Sequence, residues 1–425
     1  MKKVFKLVLF AALALSAPTL LVSCSSDDDD DNNNTSSSIS NEPRFKDKSY
    51  GQAAISACDN VVKQLEAANN AIQQSNLTEE QEAYLRNTLG NLVSNVIVPT
   101  YTKLANDVED LEKTLNGLTT STITQAQINK ACDDFKGARE NWERSEAFLM
   151  GAASDFDIDP TIDSWPLNRT LLLSYFNNGM NAAMLEDATI LGFHALEFIL
   201  FRDGQPRKVE EFKGNDTYNL FTKISGEKEL AYAQTICKLL KERCFQLQVA
   251  WEGSTTANAS RVQVVKAANL DITTENGLNY GENLTQAGVN PKSSFRSLKA
   301  AISQVLADDE GSCVGIANEV GTAKIANPFS AGDISYVESP YSFNSITDFQ
   351  DNIRSIRNVW LGSTDGSTAD NSFSKFFTNV GKTDTEKNVS DAVSNAITII
   401  GTMPAPFVKY CSTIWNIEFA EYNKW

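Results

Sequence analysis

The sequence predicts an all-α protein of two helical domains. Three observations carry the prediction. Apolar residues recur at helical spacing in long blocks throughout the chain, hairpin signals between the blocks are few, and two short segments of the first half reappear in order in the second. The chain has 425 residues, 42% hydrophobic and 21% charged. That is ordinary for a globular protein and sufficient for a core in each of two domains. A formal charge of −17 argues against nucleic acid as a partner, because phosphate recognition requires basic surface. It fits cations, or simple solubility.

Residues 1–23 form a signal peptide. Lys2, Lys3 and Lys6 precede an apolar run too short and too early for a spanning helix. The run ends in Leu21-Val22-Ser23-Cys24, which resembles a bacterial lipobox. Lipid on Cys24 would anchor the protein to a membrane without a transmembrane segment. Residues 24–44 are acids, asparagines and serines in the main. They cannot bury apolar area, so they read as a disordered tether. An acidic stretch directly after a lipidated cysteine also resembles the surface-export signal of Bacteroidetes lipoproteins. The expected location is the outer membrane, on its periplasmic or its cell-surface side.

The first domain, 45–205, opens on YGQAAISACDNVVKQLEAANNAIQQ, with Ala54, Val61, Leu65 and Ala68 on one helical stripe. In the next block Thr78 precedes Glu79 and Glu80, a helix start, and Pro99 is expected to break or kink the helix. TQAQINKACDDFKGARENWERSEAFLM and MNAAMLEDATILGFHALEFILF supply two further helical blocks. The second domain, 206–425, has a similar inventory, with loops rich in Gly, Asn, Ser and Thr at 253–293 and 361–387. NWERSEAFLMG (141–151) aligns with NIRSIRNVWLG (352–362), and TILGFHALEF (189–198) with TIIGTMPAPF (398–407), which suggests an ancient duplication. Six cysteines remain after Cys24. None shows C-x-x-C spacing, and they read as small buried apolar residues with at most one disulfide.

One short stretch stands out. His194 is the sole histidine of the chain, and Glu197 follows it by one helical turn inside an otherwise apolar segment. The two share a face. A helix apolar all round is buried, so Glu197 needs a cation, a metal or hydrogen-bond donors. Gly192 just before the pair costs about 1 kcal/mol in a helix relative to alanine; there a missing Cβ would let a backbone or ligand come close. The plainer reading is a His–Glu pair that pins helix packing. Upstream, Arg139, Trp142, Glu143 and Glu146 lie on one helical stripe, and Asp163, Trp165 and Asn168 occupy an acidic loop marked by proline.

Gly192-x-His194-x-x-Glu197 resembles the G-x-H-x-x-E signature of the imelysin family. RENWERSEAFLMG, DSWPLN and VESPYSFNSITDFQDNIRSIRNVWLG resemble other blocks of that family. The resemblance runs from about residue 45 to the C-terminus. It implies two helical bundles with the signature helix in a cleft near their junction. It also implies one of two activities, a secreted metallopeptidase or a protein of iron uptake. A zinc peptidase usually needs three protein ligands and a base, and one histidine fits that poorly. One imidazole among carboxylates suits iron better, with zinc or calcium as alternatives. The expected ligands are His194, Glu197, Glu146 and Asp163. Gly192, Arg139, Trp142, Glu143, Trp165 and Glu338 are expected to line the cleft, with Glu338 also a candidate ligand. The function expected is binding of a metal ion or a metal-containing ligand, with an outer-membrane transporter as partner. The alternatives are a metal-dependent peptidase and a module that binds peptide or glycan.

Overall fold

A capping box at Thr78 opens one helix, with the Thr78 hydroxyl accepting from Gln81 N and the Gln81 side chain accepting from Thr78 N. Thr124 does the same with Gln127. Each box satisfies two backbone donors that a helix start leaves without partners. The computed structural model describes residues 49–179, 185–218, 221–331 and 336–411. The expected signal peptide, Cys24 and the expected tether lie outside them.

In chain order the helices are α1 (Ser49–Gln73), α2 (Glu79–Leu92), α3 (Val98–Asn116), α4 (Gln125–Glu143), α5 (Ala152–Asp155), α6 (Ile158–Ile162), α7 (Arg169–Asn178) and α8 (Gly192–Leu200). After a short hairpin come α9 (Val209–Lys213), α10 (Gly226–Glu252), α11 (Ala259–Ala267), α12 (Tyr280–Thr285), α13 (Leu298–Ala307), α14 (Cys313–Glu319), α15 (Ser345–Leu361), α16 (Phe373–Asn379) and α17 (Thr383–Gly401). The hairpin strands are β1 (Phe201–Arg202) and β2 (Gln205–Pro206), antiparallel, with Phe201 opposite Pro206. Pro99 does not end its helix. A π-helical turn over Val93–Ile97 leads straight into α3 and accommodates the ring.

The helices form two groups. In one, α3 packs on α4 and α10, and α10 on α8; in the other, α1 packs on α13, α14 and α17, and α15 on α17. Contacts between α4 and α15 join them, and one apolar core runs through both. The expected domain boundary at 205/206 is therefore not a structural division. It falls at the hairpin, α1 packs with the C-terminal helices, and α10 packs with the N-terminal ones. The second matched pair of the suggested duplication differs in conformation: Gly192 begins α8, whereas Gly401 ends α17. Pro404 and Pro406 follow Gly401 and cannot continue a helix.

The stripe Ala54, Val61, Leu65 and Ala68 is fully buried, as its spacing predicts. The six cysteines Cys58, Cys132, Cys237, Cys244, Cys313 and Cys411 are all buried and unpaired. The long loops are partly helical, with α11 and α12 in the first and α16 in the second. No described helix is long and apolar enough to cross a membrane.

Candidate metal centre

All nine residues of α8 are buried. Phe193, Leu196, Phe198 and Ile199 each contribute about 1.5–3 kcal/mol by leaving water, which offsets the burial of two polar groups beside them. Gly192 has φ +72°, and a Cβ there would lie 2.0 Å from the carbonyl oxygen of Ile162. The missing side chain lets the end of α6 press against the start of α8. Asp163, the next residue, is thereby brought beside His194.

Glu197 is fully used by protein donors. Its Oε1 accepts from Tyr341 N (3.0 Å), Ser342 N (2.7 Å) and Ser342 Oγ (2.7 Å). Its Oε2 meets His194 Nδ1 at 3.2 Å. The carboxylate thus orients the imidazole, whose Nε2 points at Asp163 Oδ1, 3.3 Å away. Nε2 itself is buried and has no hydrogen-bond partner.

Arg139 is the centre of a larger network. Its guanidinium touches Glu143, Asp163 and Glu338 and lies 3.6 Å from Asp348. Trp142 Nε1 donates to Asp163 Oδ2 (2.7 Å). Lys324 Nζ bonds Glu338 (3.0 Å) and stands 4.0 Å from Glu143. Asn352 donates to Glu143, while Ser339 and Asn344 donate to Asp348. Every one of these charged groups is buried, so each depends on the others.

Above this network opens a cleft of about 840 Å³, to which Glu146, Asp163 and Trp165 contribute. Of the residues expected to line it, Arg139, Trp142, Glu143, Glu338 and Gly192 instead lie packed outside its wall, because α8 and the Arg139 network bury them. His194 lies in a separate small recess with Trp165 and Tyr341. Two sets of three donors lie within 4.8 Å of one another: Asp163, His194 and Glu338; and Glu143, Glu146 and Asp163. Glu197 belongs to neither, since the 341–342 backbone and His194 already take both its oxygens. Glu338 stands where Glu197 was expected. Lys324, Asp348, Ser342 and Asn352 belong to the site and escaped the sequence reading. A lone lysine in the apolar run SCVGIANEVGTAKI was the one available signal.

Burial disfavours a charged imidazole at His194, but the carboxylates of Asp163 and Glu197 beside its two nitrogens outweigh it and raise the pKa to about 9. Burial likewise opposes ionisation of Asp163, yet Arg139 and His194 hold it well below the usual carboxylate range. Burial pushes Glu143 and Glu146 well above that range, and Asp348 up to about 7. The metal-free protein should therefore be less stable in alkali. The folded pKa of His194 exceeds its unfolded value, so its contribution is complete below pH 6.5 and vanishes as pH rises through about 9. The loss is about 3 kcal/mol. Urea unfolding between pH 6 and 10, with chelator present, should show this slope in the wild type and a flatter profile in His194→Gln.

Fold and site together define a mainly helical protein with a buried centre of one histidine, several carboxylates and the cationic side chains Arg139 and Lys324. The model of the Imelysin family matches residues 97–412, and the chain belongs to the imelysin family. Iron-regulated protein A of Synechococcus elongatus (strain ATCC 33912 / PCC 7942 / FACHB-805) is 24% identical over 284 residues, 67% of this chain. That match spans 66% of the relative's length. The crystal structure described as an iron-regulated protein A precursor from Parabacteroides distasonis ATCC 8503 superposes with a TM-score of 0.58 at 23% identity. It covers 79% of this chain and 97% of that one, so the two share a fold.

Proposed function

We propose that this chain is a cell-envelope lipoprotein that takes up a metal cation at Asp163, His194 and Glu338 and serves iron uptake. The observation that carries the reading is the buried His194 Nε2, which has no hydrogen-bond partner and faces Asp163 with Glu338 in reach. A histidine held from behind by a carboxylate, with its other nitrogen turned towards further carboxylates, is how proteins present a metal ligand. One nitrogen and several carboxylate oxygens suit iron, and leave zinc or calcium as competitors. The incoming cation would replace the proton on His194 and share carboxylates now held by Arg139 and Lys324. Iron is supported further by the name of the Synechococcus relative. Anchoring through lipid on Cys24, and delivery to an outer-membrane transporter, rest on the sequence signals.

The test is anaerobic iron(II) titration with elemental analysis, on protein purified without chelator or added histidines. One ion per chain is expected, lost in His194→Ala and Glu338→Gln. Glu197→Gln, which disturbs the group that orients His194 and holds the 341–342 backbone, should weaken binding by about 10–100-fold. Affinity should rise with pH up to about 9, because His194 must give up its proton. A folded wild type that retains no metal would sink the reading. Hydrolysis of a denatured protein, stopped by chelator, would move it to a peptidase.

A further inference from the structure

The cleft is much too large for an ion alone and has the size of a small-molecule site, about 840 Å³. Its lining is overwhelmingly acidic. Four aspartates come from 155–163 and three acids from 308–310, with Glu146 and Glu319 besides, against the single lysine Lys324. Acidic lining alone says little, but Glu146 adds an independent fact. Its side chain faces the cleft, the residue is 5% exposed, and it has neither hydrogen bond nor ion pair. Burial holds Glu146 towards its neutral form, and a cation entering the cleft beside it would favour the carboxylate, so the group is placed to receive one from outside the chain.

The form of that cation follows from the spacing of the acids. Only Glu146 and Asp163 belong to a set of three close enough to share an ion. The other acids are spread along the walls and at the exposed rim 308–310, where they cannot converge on one metal. Separated negative points fit separated positive ones. The inner end already accepts an alkylammonium, since Lys324 Nζ sits 3.0 Å from Glu338 and 3.7 Å from Glu319. Trp165, Tyr280 and Phe295 supply apolar wall between the acids, suited to methylene chains. The rim is braced: a Cβ on Gly311 would lie 2.4 Å from Met150 N, and Met150 N donates to Gly311 O.

We propose that the cleft binds a linear aliphatic polyamine, with one terminal ammonium on Glu146 and the remaining charges on the rim acids 308–310. The cleft shares Asp163 and Trp165 with the surroundings of His194, but its amine contacts, Glu146 and the rim acids, are not among the ligands of the metal reading.

Calorimetric titration of the full chain with spermidine, at about 0.15 M salt to screen diffuse attraction, tests it. One spermidine per chain is expected. Glu146→Gln should lower the affinity about 10–100-fold, the worth of a buried charge-assisted hydrogen bond. The rim variant D309N/E310Q lies on exposed side chains and cannot disturb the core; it should lower affinity severalfold. Spermidine should bind equally well with and without chelator, which separates this result from the metal experiment. The proposal is overturned if spermidine does not bind, or if Glu146→Gln and the rim variant bind like wild type. It is equally overturned if magnesium displaces spermidine at equal concentration, or if only a basic peptide such as hexalysine binds.

Discussion

Replacing Arg139 by methionine should destabilise the protein by about 3–5 kcal/mol at pH 7, the usual cost of removing one partner from a buried ion network. Glu143, Asp163 and Glu338 would lose their shared guanidinium, and Asp348 its nearby one. Only Lys324 and His194 would remain to offset them. The wild type gains from Asp163 because Arg139 and His194 depress its pKa, against the burial that would raise it. That contribution is present above the unfolded aspartate pKa and is lost only in strong acid. In the variant, Asp348 and Glu143, already raised by burial, would take up protons near neutrality and relieve the repulsion. The deficit against wild type should therefore shrink between pH 7 and pH 5. Denaturant unfolding of both proteins at the two pH values checks this. Equal midpoints at pH 7 would mean that Arg139 is not what holds the carboxylates.

Gly192→Ala should be nearly as damaging, by about 3 kcal/mol or more. Alanine at φ +72° is strained, and its Cβ would overlap the Ile162 carbonyl. The backbone must move apart, and Asp163 moves with it. The variant should thus lose both thermal stability and metal affinity, whereas Glu197→Gln should lose affinity with a smaller fall in melting temperature. A Gly192→Ala protein that melts like wild type would mean that α6 and α8 need not touch.

The helical class was readable because α1, α4, α10 and α15 each carry a long apolar stripe. So was the convergence of Arg139, Trp142, Asp163 and His194, carried by the resemblance to known blocks. The partition of helices was not readable. Nothing in the spacing of Ala54 or Leu65 tells which other stripe will cover it, so α1 was grouped with its sequence neighbours. The role of Glu197 was hidden for another reason. Its partners are mainly the backbone amides of Tyr341 and Ser342, and every residue but proline carries an amide. Glu338 looked peripheral because its importance comes from Arg139 and Lys324, distant in sequence. The duplication failed as a guide where prolines after Gly401 end a helix that its counterpart begins.

The pairing of α1 with α17 has a consequence for the birth of the protein. α1 ends at Gln73, and α17 starts at Thr383. The first described helix must therefore wait for α13 and α14, and then for α17, before its apolar face is fully covered. Closing so long a loop slows folding, and an uncovered stripe invites aggregation in the meantime. A nascent chain of this design profits from any chaperone contact or delayed collapse that shields α1 until α17 has been made.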